Sequence, residues 1–216
     1  DAEAQHGLAC CFEGRKHPSL KSALLWYRKA AEQGHVESQR KIGNHLLSGD
    51  HTRKNVGEAV NWYRKAAERS DARAQFALGE LYEHGANEIV EQSDIEAMRW
   101  YRKAADQHLP KAQYAMGCCL EEGRGVRQNN SEAAWWYLLA AKQGLANAQF
   151  RLANMTEEGK GAARSVKDAA KWYRKAAEQG MMEAQYALGL LLCGDLDSEK
   201  PGGSNLPKDK EEAAKW

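Results

Sequence analysis

The sequence repeats itself with a period of about 36 residues, and few features constrain a fold more tightly. Tryptophan stands at 26, 62, 100, 136, 172 and 216, at intervals of 36, 38, 36, 36 and 44. An alanine precedes each by three residues: Ala23, Ala59, Ala97, Ala133, Ala169 and Ala213. Tyr27, Tyr63, Tyr101, Tyr137 and Tyr173 follow the first five tryptophans, and Ala–Ala pairs follow at 30–31, 66–67, 104–105, 140–141 and 176–177. A second register runs through Gln5, Gln39, Gln75, Gln113, Gln149 and Gln185. Four residues after each glutamine comes a small residue: Ala9, Gly43, Gly79, Gly117, Ala153 and Gly189. Two registers held in phase describe one structural unit copied along the chain.

Each copy holds two helices. In the third, Ala74–His84 reads as a helix ending at Gly85, which suits a left-handed C-cap. Its internal Gly79 weakens the helix but lets a neighbour approach closely. The second helix, Glu96–Gln107, places Ala97, Trp100, Tyr101 and Ala104 on one stripe, and Ser93-Asp-Ile-Glu96 is a capping-box start. A single helix pair cannot bury its apolar stripe, so the units must stack.

The pattern resembles the Sel-1-like repeat (SLR) family, relatives of the tetratricopeptide repeats. The resemblance rests on Trp62-Tyr-Arg-Lys-Ala-Ala67, Trp172 to Gly180, Ala184-Gln-Tyr-Ala-Leu-Gly189 and Glu122-Gly-Arg-Gly-Val126, and covers essentially the whole chain. The expected fold is all-α, a right-handed α–α superhelix (solenoid) of about six Sel-1-like helix–turn–helix repeats. One array spans 1–216, with units at 1–34 (incomplete), 35–70, 71–108, 109–144, 145–180 and 181–216 (incomplete, with an extended loop at 194–207). Ser70 and His108 depart from the glycine that usually ends the second helix. The spacing of the cysteines does not match that of the family's disulfide-stapled members.

Composition narrows the function. Lys and Arg number 31 against 30 Asp and Glu, a balance that argues against nucleic-acid binding, which needs a clustered cationic excess. Mean hydropathy of -0.75 and the lack of a long apolar run argue against a membrane span. Cys10–Cys11 and Cys118–Cys119 are adjacent and Cys193 is alone, so no C-x-x-C zinc pattern exists, and the thiols read as free, mostly core residues. Free thiols lean the expectation toward a reducing, cytoplasmic compartment. The start at Asp1 without Met reads as a piece of something longer, which leaves a periplasmic or secreted origin open.

No P-loop, G-x-S-x-G, H-E-x-x-H or EF-hand pattern occurs. Ser38-Gln-Arg-Lys41 matches S-x-x-K formally, without an S-D-N or K-T-G partner, and Ser38 occupies the repeat's own alanine position. Neither a catalytic residue nor a metal or cofactor is assigned. Asn129-Asn-Ser131 and Asn154-Met-Thr156 fit a glycosylation acceptor by accident, Ser131 reading as a helix start.

What remains is binding. The resemblance implies a non-enzymatic protein–protein interaction scaffold, its first helices lining a concave face and its second helices a convex one. Positions two, five, eight and nine after the register glutamine should then face the groove. They include Asn44 in the second unit and Glu80, Glu83 and His84 in the third. Cys118 and Glu121 follow in the fourth, and Asn154 and Glu157 in the fifth. A mildly basic end (Lys41) gives way to an acidic run, suited to a basic or amide-rich peptide. On the second helices, Arg-Lys follows Trp-Tyr at 28–29, 64–65, 102–103 and 174–175, whereas the fourth unit has Leu138-Leu139 and adds Trp135. Trp135 and Leu138 share a helix face, so Trp135, Leu138 and Leu139 are expected to form an apolar docking patch open to a partner or to a second copy. The other readings are a cell-wall or β-lactam ligand site around Ser38 and a structural spacer within a larger protein.

Overall fold

A computed structural model describes residues 1–14, 19–49, 53–86, 89–193, 210–213 and 215. The predicted loop at 194–207 and the last repeat tryptophan, Trp216, lie outside the described residues. Contacts divide the chain into two compact units, 1–107 and 108–216.

The first unit contains α1 (Ala2–Glu13), α2 (Leu20–Glu32), α3 (Val36–Ser48), α4 (Val56–Glu68), α5 (Ala72–His84) and α6 (Asp94–Asp106). The second contains α7 (Pro110–Glu122), α8 (Asn130–Lys142), α9 (Ala146–Glu158), α10 (Val166–Glu178), α11 (Met182–Cys193) and the short α12 (Lys210–Ala213). Within each unit, odd and even helices pack as pairs, and each pair packs on the next. The Asx or Ser residue before each of α4, α5, α6, α8 and α10 accepts a backbone N–H of the first turn, as Ser93 does from Glu96. Ser131 lies in the first turn of α8, as expected of a helix start, and the cap itself is Asn129.

The core is set by the tyrosines more than by the tryptophans. Tyr27, Tyr63, Tyr101, Tyr137 and Tyr173 are all at most 2% exposed, whereas Trp26, Trp100 and Trp172 are only half-buried. Each tyrosine ring of α4, α6 and α8 lies against the glycine four residues after the register glutamine. A Cβ on Gly43 would come within 2.6 Å of the Tyr63 ring, and Gly79 and Gly117 meet Tyr101 and Tyr137 in the same way. The small residue is therefore a socket for the tyrosine ring.

The register glutamine stitches consecutive pairs. Gln39, Gln75, Gln149 and Gln185 each donate from Nε2 to the second alanine carbonyl of the preceding Ala–Ala pair, at 3.1–3.2 Å. That carbonyl lies at the end of a helix, where the glutamine adds a second donor to the backbone N–H of the following turn, as Gly144 supplies to Ala141 at 3.0 Å. The glutamine after the second helix then donates to the register glutamine's own Oε1: Gln107 to Gln75, Gln143 to Gln113 and Gln179 to Gln149, each at 2.8 Å. In the second pair Arg69 stands where the others have glutamine, and Gln39 Oε1 is buried without a partner.

Turn chemistry departs from expectation in two places. Ser70 and His108 take φ of 63° and 62°, the left-handed conformation that Gly34, Gly144 and Gly180 adopt at the equivalent site. Gly85 has φ 69° with ψ 165°, a region essentially confined to glycine, rather than the αL cap seen at Gly49, Gly123 and Gly159.

Candidate functional site

Most of the predicted first-helix residues face the hydroxyl of a buried tyrosine. Tyr63 donates to Asn44 Oδ1 at 2.8 Å, and Tyr101 donates to Glu83. Tyr137 donates to Glu121 at 2.8 Å and lies 3.3 Å from Cys118 Sγ, while Tyr173 reaches Asn154 at 2.6 Å and Glu157 at 2.7 Å. In the first pair Tyr27 donates to Glu13 at 2.6 Å with Cys10 Sγ at 3.4 Å. Positions five and eight after the register glutamine thus form a polar rung under each tyrosine. Leu47 fills position eight in the second pair, which is why Tyr63 turns to Asn44.

Burial, together with the neighbouring carboxylates, pushes the Tyr27, Tyr137 and Tyr173 hydroxyls far above the ordinary phenol value. They stay protonated and remain donors. Burial likewise raises the Cys118 thiol despite hydrogen bonds from Tyr137 and Tyr114, which disfavours a thiolate nucleophile.

Cations complete the rung. Lys41 Nζ reaches back to Glu13 at 2.8 Å, and Arg151 Nη2 reaches back to Glu121 at 2.9 Å and Glu122 at 3.9 Å. Burial disfavours the Glu13 anion, but the bonds from Lys41 and Tyr27 outweigh it and hold that carboxyl below its ordinary value. Lys41 and Arg151 occupy the same repeat position, so the basic-to-acidic gradient along the chain resolves into ion pairs between successive helix pairs. Either register taken alone conceals these pairings; laying the tyrosine over positions five and eight exposes them. Glu80 and His84 are exposed, and His84 Nδ1 lies 3.9 Å from Glu83.

The second helices differ from expectation as well. The Arg-Lys pairs are not simply solvated. Lys29, Lys65, Lys103 and Lys175 each lie 4.2–4.4 Å over the tryptophan ring three residues earlier. Arg28 pairs with Glu58 at 2.8 Å, Arg64 donates to the Tyr82 hydroxyl, and Arg174 forks onto Glu212 at 2.7 and 2.9 Å. On α8, Leu139 replaces the lysine and Leu138 the arginine; both are half-buried. Trp135 is 50% exposed and meets the buried Trp136 edge-on, ring centres 4.6 Å apart.

Ser38 is sealed. It is 0% exposed, its Oγ lies 2.9 Å from His6 Nδ1 and 3.0 Å from His35 Nδ1, and Lys41 is engaged with Glu13. The S-x-x-K match therefore presents no accessible nucleophile. Thr156 is buried and bonds back to the Leu152 carbonyl, and Asn154 sits mid-helix on Tyr173, so that sequon is not a surface acceptor. All five cysteines are free; Cys10 and Cys11 are exposed and only Cys119 is buried, contrary to the core role expected of them. Among the described residues no group of three His, Cys, Asp or Glu side chains is arranged to hold a metal, and no helix is long and apolar enough to cross a membrane.

The family model of the Sel1 repeat matches residues 2–35, 36–71, 72–109, 110–145, 146–181 and 183–216. Among solved structures, a protective antigen present in uropathogenic Escherichia coli strains, displaying an SLR fold, is 28% identical with a TM-score of 0.89. The match covers 100% of this chain and 44% of the antigen, so the chain spans less than half of that protein's length. A Sel1 repeat protein from Oxalobacter formigenes is 29% identical with a TM-score of 0.82, covering 100% of this chain and 83% of that one. An immunity protein from Pseudomonas aeruginosa, at 20% identity and TM-score 0.57 over 99% of this chain and 77% of that one, shares the fold. No curated protein matches the chain. The fold class is thus the all-α helical-repeat solenoid.

Proposed function

We propose that this chain, which belongs to the Sel1 repeat family, is a non-enzymatic protein-interaction scaffold whose partner docks on the face of α8 carrying Trp135, Leu138 and Leu139. Protein interaction is the usual role of the family. The observation that carries the α8 reading is the half-exposed Trp135, on the one helix whose Trp-Tyr is followed by Leu-Leu where four others have Arg-Lys. A large aromatic held on a rigid helix makes an efficient anchor, since little side-chain entropy is lost on docking. The first-helix residues are weaker candidates for specificity, because Asn44, Glu83, Cys118, Glu121, Asn154 and Glu157 already serve the tyrosines. Glu80 and His84 remain the exposed members of that face and form its alternative contact.

Affinity capture with the full-length protein from its own cell, run beside two variants, tests this. Trp135→Arg with Leu138→Arg is expected to keep the helical circular-dichroism signal and to lose the captured partner. Glu80→Lys with His84→Glu, both on exposed positions of the first-helix face, should retain it. Loss only in the second variant would move the contact to the first-helix face, and equal capture by all three would overturn the α8 reading. Light scattering on the same proteins shows whether the partner is a second copy.

A further inference from the structure

The junction of α1 with α2 and α3 concentrates titratable groups that neither the repeat pattern nor the α8 surface explains. His6 and His35 stack with ring centres 4.3 Å apart, and both aim Nδ1 at the buried Ser38 Oγ. His35 is also the N-cap of α3: its Nδ1 accepts the Ser38 backbone N–H at 3.2 Å. The remaining contacts fix the protons. His35 Nε2 faces Glu3 Oε2 at 3.1 Å and so carries the hydrogen, leaving Nδ1 as acceptor for the Ser38 hydroxyl and amide. Ser38 Oγ then accepts from His6 Nδ1–H, and His6 Nε2 is left as acceptor, 3.4 Å from Cys10 Sγ. With both imidazoles neutral, the Ser38 hydroxyl and amide share the His35 Nδ1 lone pair and His6 Nδ1–H has the Ser38 Oγ as its acceptor.

We propose that this junction is a pH-sensitive latch that holds α1 against α2 and α3 at neutral pH and releases it as the surroundings acidify. A second proton on His35 removes the acceptor that caps α3 and leaves the Ser38 N–H facing another donor. A proton on His6 as well places two cations in stacked contact within a mostly buried seam. From α1, Glu3 favours a charged His6, with Glu13 farther along the helix engaged with Lys41. From α3, Glu37, 3.6 Å from His6 Nε2, favours charge, whereas Lys41 opposes it and His45 adds a third imidazole beside Glu13 at 3.6 Å. From α2, Tyr27 lies against the His6 ring at 5.5 Å and stays neutral. The balance falls against charge: burial first, then His35, hold His6 below the ordinary histidine value, outweighing Glu37 and Glu3. A group whose value is lowered in the docked state takes up its proton more readily when released. Docking is therefore undiminished above the ordinary value near 6.5 and weakens progressively as pH falls below it. Release would uncover Ser38 and the Tyr27 ring.

Hydrogen exchange, corrected for intrinsic rates, reads this directly on the full chain. Between about pH 7.5 and about pH 5.5, α1 amides are expected to lose protection roughly tenfold more than α5 amides. The combined His6→Gln and His35→Asn variant, whose side chains can still bond Ser38 but do not titrate, should abolish that difference. Equal protection of α1 at both pH values, or an undiminished loss in the variant, would overturn the latch. Should the variant release α1 already at neutral pH, an NMR titration of the two imidazoles in the parent decides instead. A His6 midpoint below the ordinary value supports the latch, and one at or above it overturns it.

Discussion

Replacing Tyr101 with alanine is expected to destabilise the protein by about 3–5 kcal/mol, whereas replacing the adjacent Trp100 should cost about 1–2 kcal/mol. Size alone predicts the reverse order, and tryptophan is the more visible landmark in the sequence. The structure inverts it because Tyr101 is 1% exposed, its ring fills the space left by the missing Cβ of Gly79, and its hydroxyl bonds to Glu83. Removing the ring leaves a cavity between α5 and α6 and takes one hydrogen bond from the Glu83 carboxylate. Trp100 is partly buried at the edge of the core with Lys103 4.2 Å above its ring, so its loss removes that stack and some core contact but opens no enclosed cavity. Urea denaturation of the two variants compares them. Equal losses would show that the tyrosine socket is not what anchors a helix pair.

Gln149→Leu is expected to cost about 1–3 kcal/mol, although it exchanges a polar residue for an apolar one of similar size in a buried place. Gln149 is 3% exposed and serves two partners: it donates to the Ala141 carbonyl at 3.1 Å and accepts from Gln179 at 2.8 Å. Leucine satisfies neither. The Ala141 carbonyl keeps the Gly144 backbone N–H at 3.0 Å but loses its second donor, and the Gln179 amide loses its acceptor. Gln179→Ala removes only the outer, solvent-reachable bond and should cost about 0.5–1.5 kcal/mol. If the two variants were equally destabilised, the glutamine would be acting as a surface residue rather than as a stitch between helix pairs.

Much of the fold was legible because a repeat states the same constraint several times. The spacing of Trp, Ala and Gln gave helix pairs, and the small residue after each glutamine foretold a close approach by a neighbour. What the spacing concealed was which ring makes that approach, since Trp and Tyr are adjacent on the same stripe and differ by about 100° around the helix. The polar positions were harder to read. Glu83, Glu121 and Glu157 look like a solvated acidic face until each is set beneath a tyrosine from the partner helix. Lys41 and Arg151 look like scattered charges until they are seen reaching back to Glu13 and Glu121. Such links join residues 16 to 30 positions apart and have no local signature. Leu138 and Trp135 were visible as a break in the pattern, yet the half-burial of Leu138 depends on how α8 packs, which the pattern does not contain.

A double-mutant cycle on the fifth helix pair tests the central claim most directly: that the polar residues of the first-helix face bind the tyrosines of their own fold. Tyr173→Phe is combined with the paired change Asn154→Ala and Glu157→Ala, and stability is measured for each protein and for the combination. Because the Tyr173 hydroxyl lies 2.6 Å from Asn154 and 2.7 Å from Glu157, the expected coupling is about 1–3 kcal/mol. Additivity within about 0.3 kcal/mol would contradict the claim and return these side chains to the role of a partner-binding groove.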